Sequence, residues 1–563
     1  MLLGGLSVVL TTLFQVWSPW LVRQAVDHVQ AGVTRTALLR DAALILLAVL
    51  LQGLFLYTMR MTLIRTSRRM EYELRNDLFD HLVRLPAGEY RARKVGDLMS
   101  RATNDLDGVR DLLGPGIMYF ASTATTFVMT VFLMIRIDLP LTLMALIPLP
   151  VLSLLMARLS SRLYHHYEAI QAAFAAVTAK AQETLTGIRV VKAHVEEEGE
   201  LAAFRTLHDD YTEKNRAMIR IMSAMWPALS LLGGIAAAIV LWAGGSAVIR
   251  GRITLGEFVA FQIYLGMLVW PMVALGWVTN LFQRGAASMG RIRAIMELPT
   301  EIDVSPEDPA PTADATLVLR NVGFTYPGTG RKVLQGVELT LRPGEAVAVV
   351  GRTGSGKTTL LNLIARLYEP TEGSLWLGGM AAERWPRGAF RRRLGIVPQE
   401  TFLFSDTIRS NIAFGERPDE EPADPVAIAH RAGLGPDLTL LPQGMETMLG
   451  ERGITLSGGQ KQRVALARAL ALQRPILLLD DAFASVDPGT EERILESLFS
   501  LRPRPAILLA THRRSALLRV DRVIVLDEGR IVASGTHQEL IARGGLYADL
   551  YHQEEMVEEL EAL

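Results

Sequence analysis

The stretch Gly351-Arg352-Thr353-Gly354-Ser355-Gly356-Lys357-Thr358 decides the fold of the C-terminal half of the chain. It matches the pattern G-x-x-x-x-G-K-[ST], and it lies directly after a predicted strand at 346–350 and before a predicted helix at 359–367, which begins at Thr359. In such a loop, glycines let backbone N–H groups close around phosphates, while the lysine reaches the β- and γ-phosphates and the last hydroxyl can ligate magnesium. The stretch therefore predicts an α/β P-loop domain that binds ATP through Lys357 and Mg²⁺ through Thr358.

Two further motifs follow downstream. Residues 476–480 read Ile-Leu-Leu-Leu-Asp, which predicts a buried parallel strand that ends in Asp480, a position suited to hold magnesium. Between the two lies Leu456-Ser457-Gly458-Gly459-Gln460. At this point the chain resembles the ATP-binding cassette (ABC) family, whose signature is L-S-G-G-Q.

The resemblance implies roles for several other residues. Tyr326 resembles the aromatic that stacks on adenine, Gln399 the Q-loop residue that senses magnesium and contacts the membrane domain, and His512 the switch histidine of the γ-phosphate. Residues 450–453 and 484–487 resemble the X-loop and the D-loop. Taken alone, Tyr326 could instead be a strand aromatic of the core, and His512 a structural histidine.

Length and composition exclude several classes of protein. Of 563 residues, 50% are hydrophobic and 21% are charged, which excludes a disordered chain, and a net charge of −1 gives no overall argument for nucleic-acid binding. The chain has no cysteine, so disulfides, thiolate nucleophiles, iron–sulfur clusters and cysteine zinc sites are excluded. No nucleic-acid partner is expected.

Six runs without any charged residue precede residue 284, at 1–22, 42–59, 112–135, 139–157, 221–249 and 258–283. Each has at least the roughly 18 residues that indicate a membrane-crossing helix. The first run lacks the basic start and the cleavage site of a signal peptide, so it is interpreted as a span. The sequence thus predicts a polytopic α-helical membrane domain of six spans in a lipid bilayer.

The connections between the runs predict the orientation. Basic residues are concentrated in the link between runs two and three, so we expect the even-numbered links on the cytoplasmic side of the inner (plasma) membrane. We predict a transmembrane domain at 1–300, a proline-rich linker at 301–316, a cytoplasmic nucleotide-binding domain at 317–551 and an acidic C-terminal helix or tail at 552–563.

The resemblance to the ABC family covers the whole chain. Six spans followed by one nucleotide-binding domain is similar to the half-transporters of the exporter type often called type IV, in which two cassettes sandwich two ATP molecules. Residues 89–105 and 187–197 resemble the coupling segments of such exporters. These chains usually begin with a cytoplasmic segment, whereas Met1 is already apolar, so we expect either a missing segment or a different start site.

Asp481 departs from the family pattern, in which a glutamate follows the Walker B aspartate and acts as general base. Aspartate is one methylene shorter, and a base must lie within about 2.6–3.2 Å of its proton, so we expect weak hydrolysis at this site. The alternative is that the backbone or a second water compensates and Asp481 works adequately. If hydrolysis is weak, the chain would spoil the site built on its own Lys357 while donating an intact signature, residues 457–460, to a partner.

This asymmetry resembles the degenerate half of heterodimeric bacterial multidrug exporters of the TmrAB type. The resemblance implies a second ABC half-transporter chain as partner, and ATP-driven export of drugs, lipids or peptides by alternating access. Spans that carry aromatic residues and almost no charge also favour a hydrophobic or amphipathic substrate. A homodimeric lipid or peptide exporter and an ATP-gated channel or regulator stay open as alternatives.

Overall fold

The N-terminal half of the chain folds into long helices, because its apolar stretches let helices continue for many turns. The computed structural model describes residues 2–32, 34–301, 315–417, 423–450, 453 and 455–561. Two short π-helical turns, Arg101–Asp105 and Leu112–Gly116, join their neighbours into one long helix. The α-helices of this half are Leu2–Gln30, Arg35–Val83, Ala87–Ala92, Val95–Ser100, Leu106–Asp111, Ile117–Ile137, Leu139–Leu146, Pro148–Thr186, Ile188–His194, Glu197–Ile249 and Leu255–Met296.

Within the described residues, five helices are long and apolar enough to cross a membrane: Leu3–Gln30, Arg35–Val83, Val95–Ile137, Glu197–Ile249 and Leu255–Met296. They confirm a helical membrane region and contain five of the six predicted runs. The fourth run, at 139–157, falls instead on two helices that are interrupted at Ile147, where Pro148 has no N–H to donate. A sixth span there stays a prediction.

Helix Leu255–Met296 is central to the packing of these helices. Its residues Phe261 and Tyr264 are fully buried, and the Tyr264 hydroxyl donates a hydrogen bond to the backbone oxygen of Val16 at 2.9 Å. Near its C-terminal end, Ser288 Oγ and Arg291 Nε donate to the buried Asp105 carboxylate at 3.0 and 2.9 Å. These bonds satisfy a carboxylate that would otherwise be buried without a partner.

The chain forms two compact units. One consists of Met1–Val83 and Lys94–Leu298, and the other of Arg84–Arg93 and Pro299–Leu563. The short segment Arg84–Arg93 therefore belongs with the C-terminal unit, where the backbone N–H of Glu301 donates to Arg84 O at 2.8 Å. The sequence analysis placed this segment in the transmembrane domain, whereas the contacts place it in the C-terminal unit. The domain bounds at 300, 316 and 551 stay predictions.

Two sheets form the C-terminal unit. Among the described residues of this unit, the strands are β1 Leu317–Thr325, β2 Lys332–Leu341, β3 Ala346–Val350, β4 Glu372–Leu377, β5 Met380–Ala381, β6 Leu394–Val397, β7 Ile476–Asp480, β8 Ala506–Ala510, β9 Arg522–Asp527 and β10 Arg530–Gly535. An antiparallel sheet has the order β2-β1-β4-β5, and a larger sheet has the order β10-β9-β3-β8-β7-β6, in which only the β10–β9 pair is antiparallel. This architecture confirms the predicted α/β class.

The parallel strands explain where the site lies. Every residue of β3, β7 and β8 is buried, as expected of parallel strands covered on both faces. Because these strands are parallel neighbours, their carboxyl ends meet at one edge of the sheet, where ligands bind in such folds. The helices of this unit that follow in the chain are Lys357–Ile364, Arg387–Arg391, Ile408–Ile412, Pro425–Arg431, Gly435–Leu440, Gly458–Ala471, Pro488–Phe499, Arg514–Leu517, His537–Arg543 and Leu546–Glu561.

Candidate functional site: a phosphate loop and its cavity

The loop after β3 has the backbone that its glycines permit. A Cβ atom at Gly351 would collide with the backbone oxygen of Leu526, and Gly354 and Gly356 have φ angles of +82° and +108°. L-residues with a side chain rarely adopt these angles, so the sequence pattern and the geometry agree. The helix expected at 359–367 begins at Lys357 and ends at Ile364, so its N-terminus directly follows the loop.

Lys357 lies across its own loop. Its Nζ donates to the backbone oxygens of Gly351 at 2.6 Å and Arg352 at 3.1 Å. Burial lowers the pKa of Lys357, and the neighbouring carboxylates of Asp481 and Asp480 counteract that effect. The amine is therefore held by exchangeable backbone contacts at the position where it could contact phosphate oxygens.

Three oxygen-bearing side chains converge beside this lysine. Thr358 Oγ1 lies 3.5 Å from Gln399 Oε1 and also within hydrogen-bonding reach of the Asp480 carboxylate, and its one proton can be donated to either. Burial raises the pKa of Asp480, with a smaller contribution from the charge of Asp481, while Thr358 and Lys357 lower it. A set of hydroxyl, amide and carboxylate oxygens fits Mg²⁺, which prefers oxygen ligands and binds through few protein groups.

Asp481 has a backbone conformation that the sequence did not indicate. Its φ angle is +49°, and its backbone N–H donates to Ala510 O at 2.9 Å on the neighbouring strand β8. The left-handed region is tolerated better by aspartate than by most residues with longer side chains. The side chain is half-buried and lines the same cavity as Lys357 and Asp480.

His512 lies two residues after the end of β8 and also lines the cavity. Burial lowers its pKa, and the positive charge of Lys357 lowers it further, whereas Asp481 raises it. The imidazole is therefore mainly neutral at pH 7, which leaves one ring nitrogen to donate a hydrogen bond and the other to accept one.

Tyr326 also lines this cavity. Its hydroxyl and Thr359 Oγ1 are 3.0 Å apart, and its ring meets Phe324 and Tyr368 edge to face at centroid distances of 4.8 and 5.2 Å. The ring is thus fixed in orientation. Arg91, which the sequence analysis did not single out, lies over this ring.

The structure brings most of the predicted site residues into one cavity of about 470 Å³. Those that line it are Tyr326, Thr353, Gly354, Gly356, Lys357, Thr358, Thr359, Gln399, Asp480, Asp481 and His512. Gly351, Arg352 and Ser355 belong to the loop but not to this lining. Ser355 Oγ is buried without a hydrogen-bond partner in the part of the chain that the structure describes, as expected where a phosphate oxygen would accept its proton.

The signature residues lie apart from that lining. Ser457 caps helix Gly458–Ala471 in a capping box, because its Oγ accepts from Gln460 N at 3.3 Å while Gln460 Oε1 accepts from Ser457 N at 2.9 Å. Ser457 and Gly458 are exposed, and Gly459 is packed so closely on Ser485 that a Cβ would collide with its backbone oxygen. Residues 451 and 452 of the predicted X-loop lie outside the described residues.

Gln462 is a positioning residue that sequence reasoning missed. It is buried on the signature helix, accepts a hydrogen bond from Ser485 N at 2.9 Å, and donates one from Nε2 to Asp481 O at 3.4 Å. It therefore connects the signature helix to the backbone of Asp481 and to the predicted D-loop. A buried glutamine beside the signature was the only available signal.

Comparisons with known proteins agree with this geometry. The family model described as ABC transporter transmembrane region matches residues 1–272, and the model described as ABC transporter matches residues 334–484. The chain is 36% identical over 548 residues to the probable multidrug resistance ABC transporter ATP-binding/permease protein YheI of Bacillus subtilis, covering 96% of this chain and 93% of that protein.

Two other relatives are similar over most of their length. The multidrug resistance-like ATP-binding protein MdlA of Escherichia coli is 36% identical, with 98% of this chain and 94% of MdlA covered. The ATP-dependent lipid A-core flippase of Aromatoleum aromaticum is 35% identical, with coverages of 89% and 83%. A solved structure of a bacterial Atm1-family ABC exporter with ATP bound superposes with a TM-score of 0.81 at 26% identity, covering 98% of each chain.

Proposed function

The chain belongs to the ABC transporter family, and from that premise we propose that it is one half of a heterodimeric exporter whose own ATP site is degenerate. One observation supports the proposal above all others. Asp481 lines the cavity with Lys357, whereas Ser457 and Gly458 of the signature are exposed and do not line that cavity. We propose that the exposed signature serves an ATP molecule held by another chain, and that the short carboxylate of Asp481 makes that chain a different one.

In the proposed assembly, the cavity binds ATP through residues with distinct roles. Tyr326 stacks on adenine, the backbone of the loop 351–356 surrounds the phosphates, and Lys357 contacts their β- and γ-oxygens. Thr358, Gln399 and Asp480 hold Mg²⁺, which neutralises charge on the phosphates when it is bound. His512 is neutral and hydrogen-bonds the γ-phosphate as a donor.

Hydrolysis requires that a water molecule lose a proton to a base while its oxygen bonds to the γ-phosphorus and the bond from that phosphorus to the bridging oxygen breaks, which releases ADP. Asp481 occupies the position of the base, but its carboxylate is one methylene closer to the backbone than that of glutamate. A displacement of about 1 Å in such a contact can reduce a rate by about 100-fold. ATP at this site therefore mainly holds the two cassettes together, and turnover takes place at the partner's site, which this chain completes with its signature.

The substrate we propose is hydrophobic or amphipathic. Large aromatic side chains of the membrane helices are exposed, including Trp242, Trp270 and Trp277 at 76%, 59% and 46% of their surface. The names of two relatives refer to multidrug resistance and to lipid A-core, and drugs and lipids are compounds of this character. We propose further that the protein lies in the inner membrane with its ATPase domain in the cytoplasm.

Two measurements test the assembly. Native purification through a tag on this chain should yield a second, different half-transporter chain with glutamate after its Walker B aspartate. The isolated chain should turn over ATP slowly, at less than about a tenth of the rate of the complex. Vigorous hydrolysis by the isolated chain would instead support the second candidate, a homodimeric lipid exporter, which the likeness to the lipid A-core flippase favours.

A further inference from the structure

The short helix Ala87–Ala92 lies beside Tyr368 and beside Tyr326, which lines the cavity. It belongs to the segment Arg84–Arg93, which lies in the same compact unit as the ATPase domain. A Cβ added at Gly88 would lie 3.3 Å from the ring of Tyr368, which in turn packs edge to face on Tyr326. The helix therefore brings its own side chains to the two tyrosines.

Arg91 of this helix occupies one face of Tyr326. Its guanidinium carbon is 4.4 Å from the centroid of the phenol ring, which is the geometry of a cation–π contact. The Arg91 side chain also lines the same cavity as Thr353, Lys357 and Thr359. Arg91 and the ring that it covers therefore border the same cavity as the phosphate loop.

The contacts of Arg91 distinguish it from an ordinary surface arginine. Hydrogen bonds to Tyr368 and then Tyr326 raise its pKa, and in the part of the chain that the structure describes no carboxylate contributes to that shift. The neighbouring Arg93, two residues along the same segment, instead pairs with Glu89. Arg91 is thus held by aromatic rings and Arg93 by an acidic side chain.

The distance of 4.4 Å between the Arg91 guanidinium carbon and the Tyr326 ring leaves no room for a base between them. A planar ring in van der Waals contact needs about 3.5 Å on each face, so a base sandwiched between Tyr326 and a guanidinium would require roughly 7 Å between them. The hydrogen bond between Tyr326 and Thr359 keeps the phenol ring in place. A base can stack on this face only if the guanidinium leaves it.

We propose that Arg91 weakens binding of the nucleotide base, because adenine and the Arg91 guanidinium compete for the same face of Tyr326. This inference rests on the proposed function of Tyr326 as the adenine platform. The segment Arg84–Arg93 is covalently continuous with helices Arg35–Val83 and Val95–Ser100. Base stacking therefore removes a contact from the segment that joins two long membrane helices, and ligands without a base do not.

The test uses the intact complex and reads out this chain alone. Purified complex is photolabelled with trace 2-azido-ATP, the label on this chain is quantified on a gel, and unlabelled ATP or tripolyphosphate is added as competitor with Mg²⁺ present. Arg91→Met keeps a long apolar side chain without the cation. It should lower the ATP concentration for half-protection about 3- to 10-fold, as expected from loss of a partly exposed cation–π contact.

A second competitor and a control variant distinguish an effect on base stacking from a general effect of the substitution. Protection by tripolyphosphate should be unchanged in Arg91→Met, and Arg93→Met should change neither competitor by more than about 2-fold, because a surface ion pair contributes little. An unchanged or weaker ATP affinity in Arg91→Met would overturn the proposal. An equal change for both competitors would also overturn it, because it would reveal a general charge effect on phosphate.

Tyr326→Ala separates failure of this inference from failure of the proposed base site. If Tyr326 is the platform, its removal weakens protection by ATP and not by tripolyphosphate, and the added Arg91→Met substitution then has no effect. If Tyr326→Ala leaves ATP protection unchanged, the base site itself is wrong. If Tyr326→Ala weakens it while Arg91→Met alone changes nothing, only the competition is wrong.

Discussion

Two regions of the ATPase domain differ in their surroundings. One is the cavity beside the phosphate loop, and the other is the exposed start of helix Gly458–Ala471. The cavity gathers lysine, hydroxyl, amide, carboxylate and imidazole groups from the ends of parallel strands into a single lining. The helix start presents Ser457 and Gly458 to the outside. In the proposed function, Asp481 is a shortened base in the first region, whereas the signature in the second region is intact, so each motif must be judged together with the ATP site that it serves.

The largest expected effect comes from the helix start. Gly458→Asp in the reconstituted complex should lower steady-state ATP turnover on the order of 100-fold, because it places a side chain and a negative charge where the partner's γ-phosphate would lie. Misfolding is not expected, since a Cβ at Gly458 would meet Ser485 only at an ordinary contact distance of 3.4 Å. Ser500→Asp, at an exposed helix end, is the matched control and should retain turnover.

Gln462→Leu tests the connection between the two regions. The substitution leaves the N–H of Ser485 and the carbonyl of Asp481 without their side-chain partner, and each such hydrogen bond contributes about 0.5–1.5 kcal/mol. We expect a lower thermal unfolding midpoint and an ATP turnover reduced about 5- to 10-fold, because the D-loop is no longer held to the signature helix. Gln443→Leu, at an exposed position, should change neither. Unchanged turnover would show that the two regions act independently.

Asp481→Glu tests whether the short carboxylate in the cavity limits hydrolysis there. The longer carboxylate should raise turnover of the complex about 2- to 5-fold, because a second site gains a base within reach. The gain is limited, since glutamate is less suited than aspartate to the φ angle of +49° at this position. Asp481→Asn should leave turnover nearly unchanged. A large loss in Asp481→Asn would mean that Asp481 already acts as an effective base.

Lys357→Ala should have the smallest effect on turnover. It removes a phosphate contact only from the site that we propose to be degenerate, so steady-state ATP hydrolysis by the complex should fall less than about 2-fold. Retention of nucleotide by this chain, measured by filter binding, should weaken clearly. A loss of turnover equal to that of Gly458→Asp would mean that both sites are catalytic, and the degenerate assignment of Asp481 would be withdrawn.

Features confined to short stretches of chain were predictable. The glycine pattern at 351–356 predicted the phosphate loop because its backbone angles depend on the residues themselves, and the α/β class followed from strands that the structure confirms. Five predicted spans are confirmed because an apolar run long enough to cross a bilayer is a local property. The fourth run, at 139–157, falls on two helices separated at Ile147, so a sixth span there stays a prediction.

Contacts between distant stretches were decided only by the tertiary structure. The strand order β9-β3-β8-β7 brings Lys357, Asp481 and His512 to one edge, and no spacing along the chain encodes that order. The left-handed backbone of Asp481 arises where its N–H bonds to strand β8, and Arg91 meets Tyr326 because a short helix far earlier in the chain packs there. Sequence determines which groups are available through local backbone preference and hydrophobicity, whereas packing of non-local elements determines which of them meet.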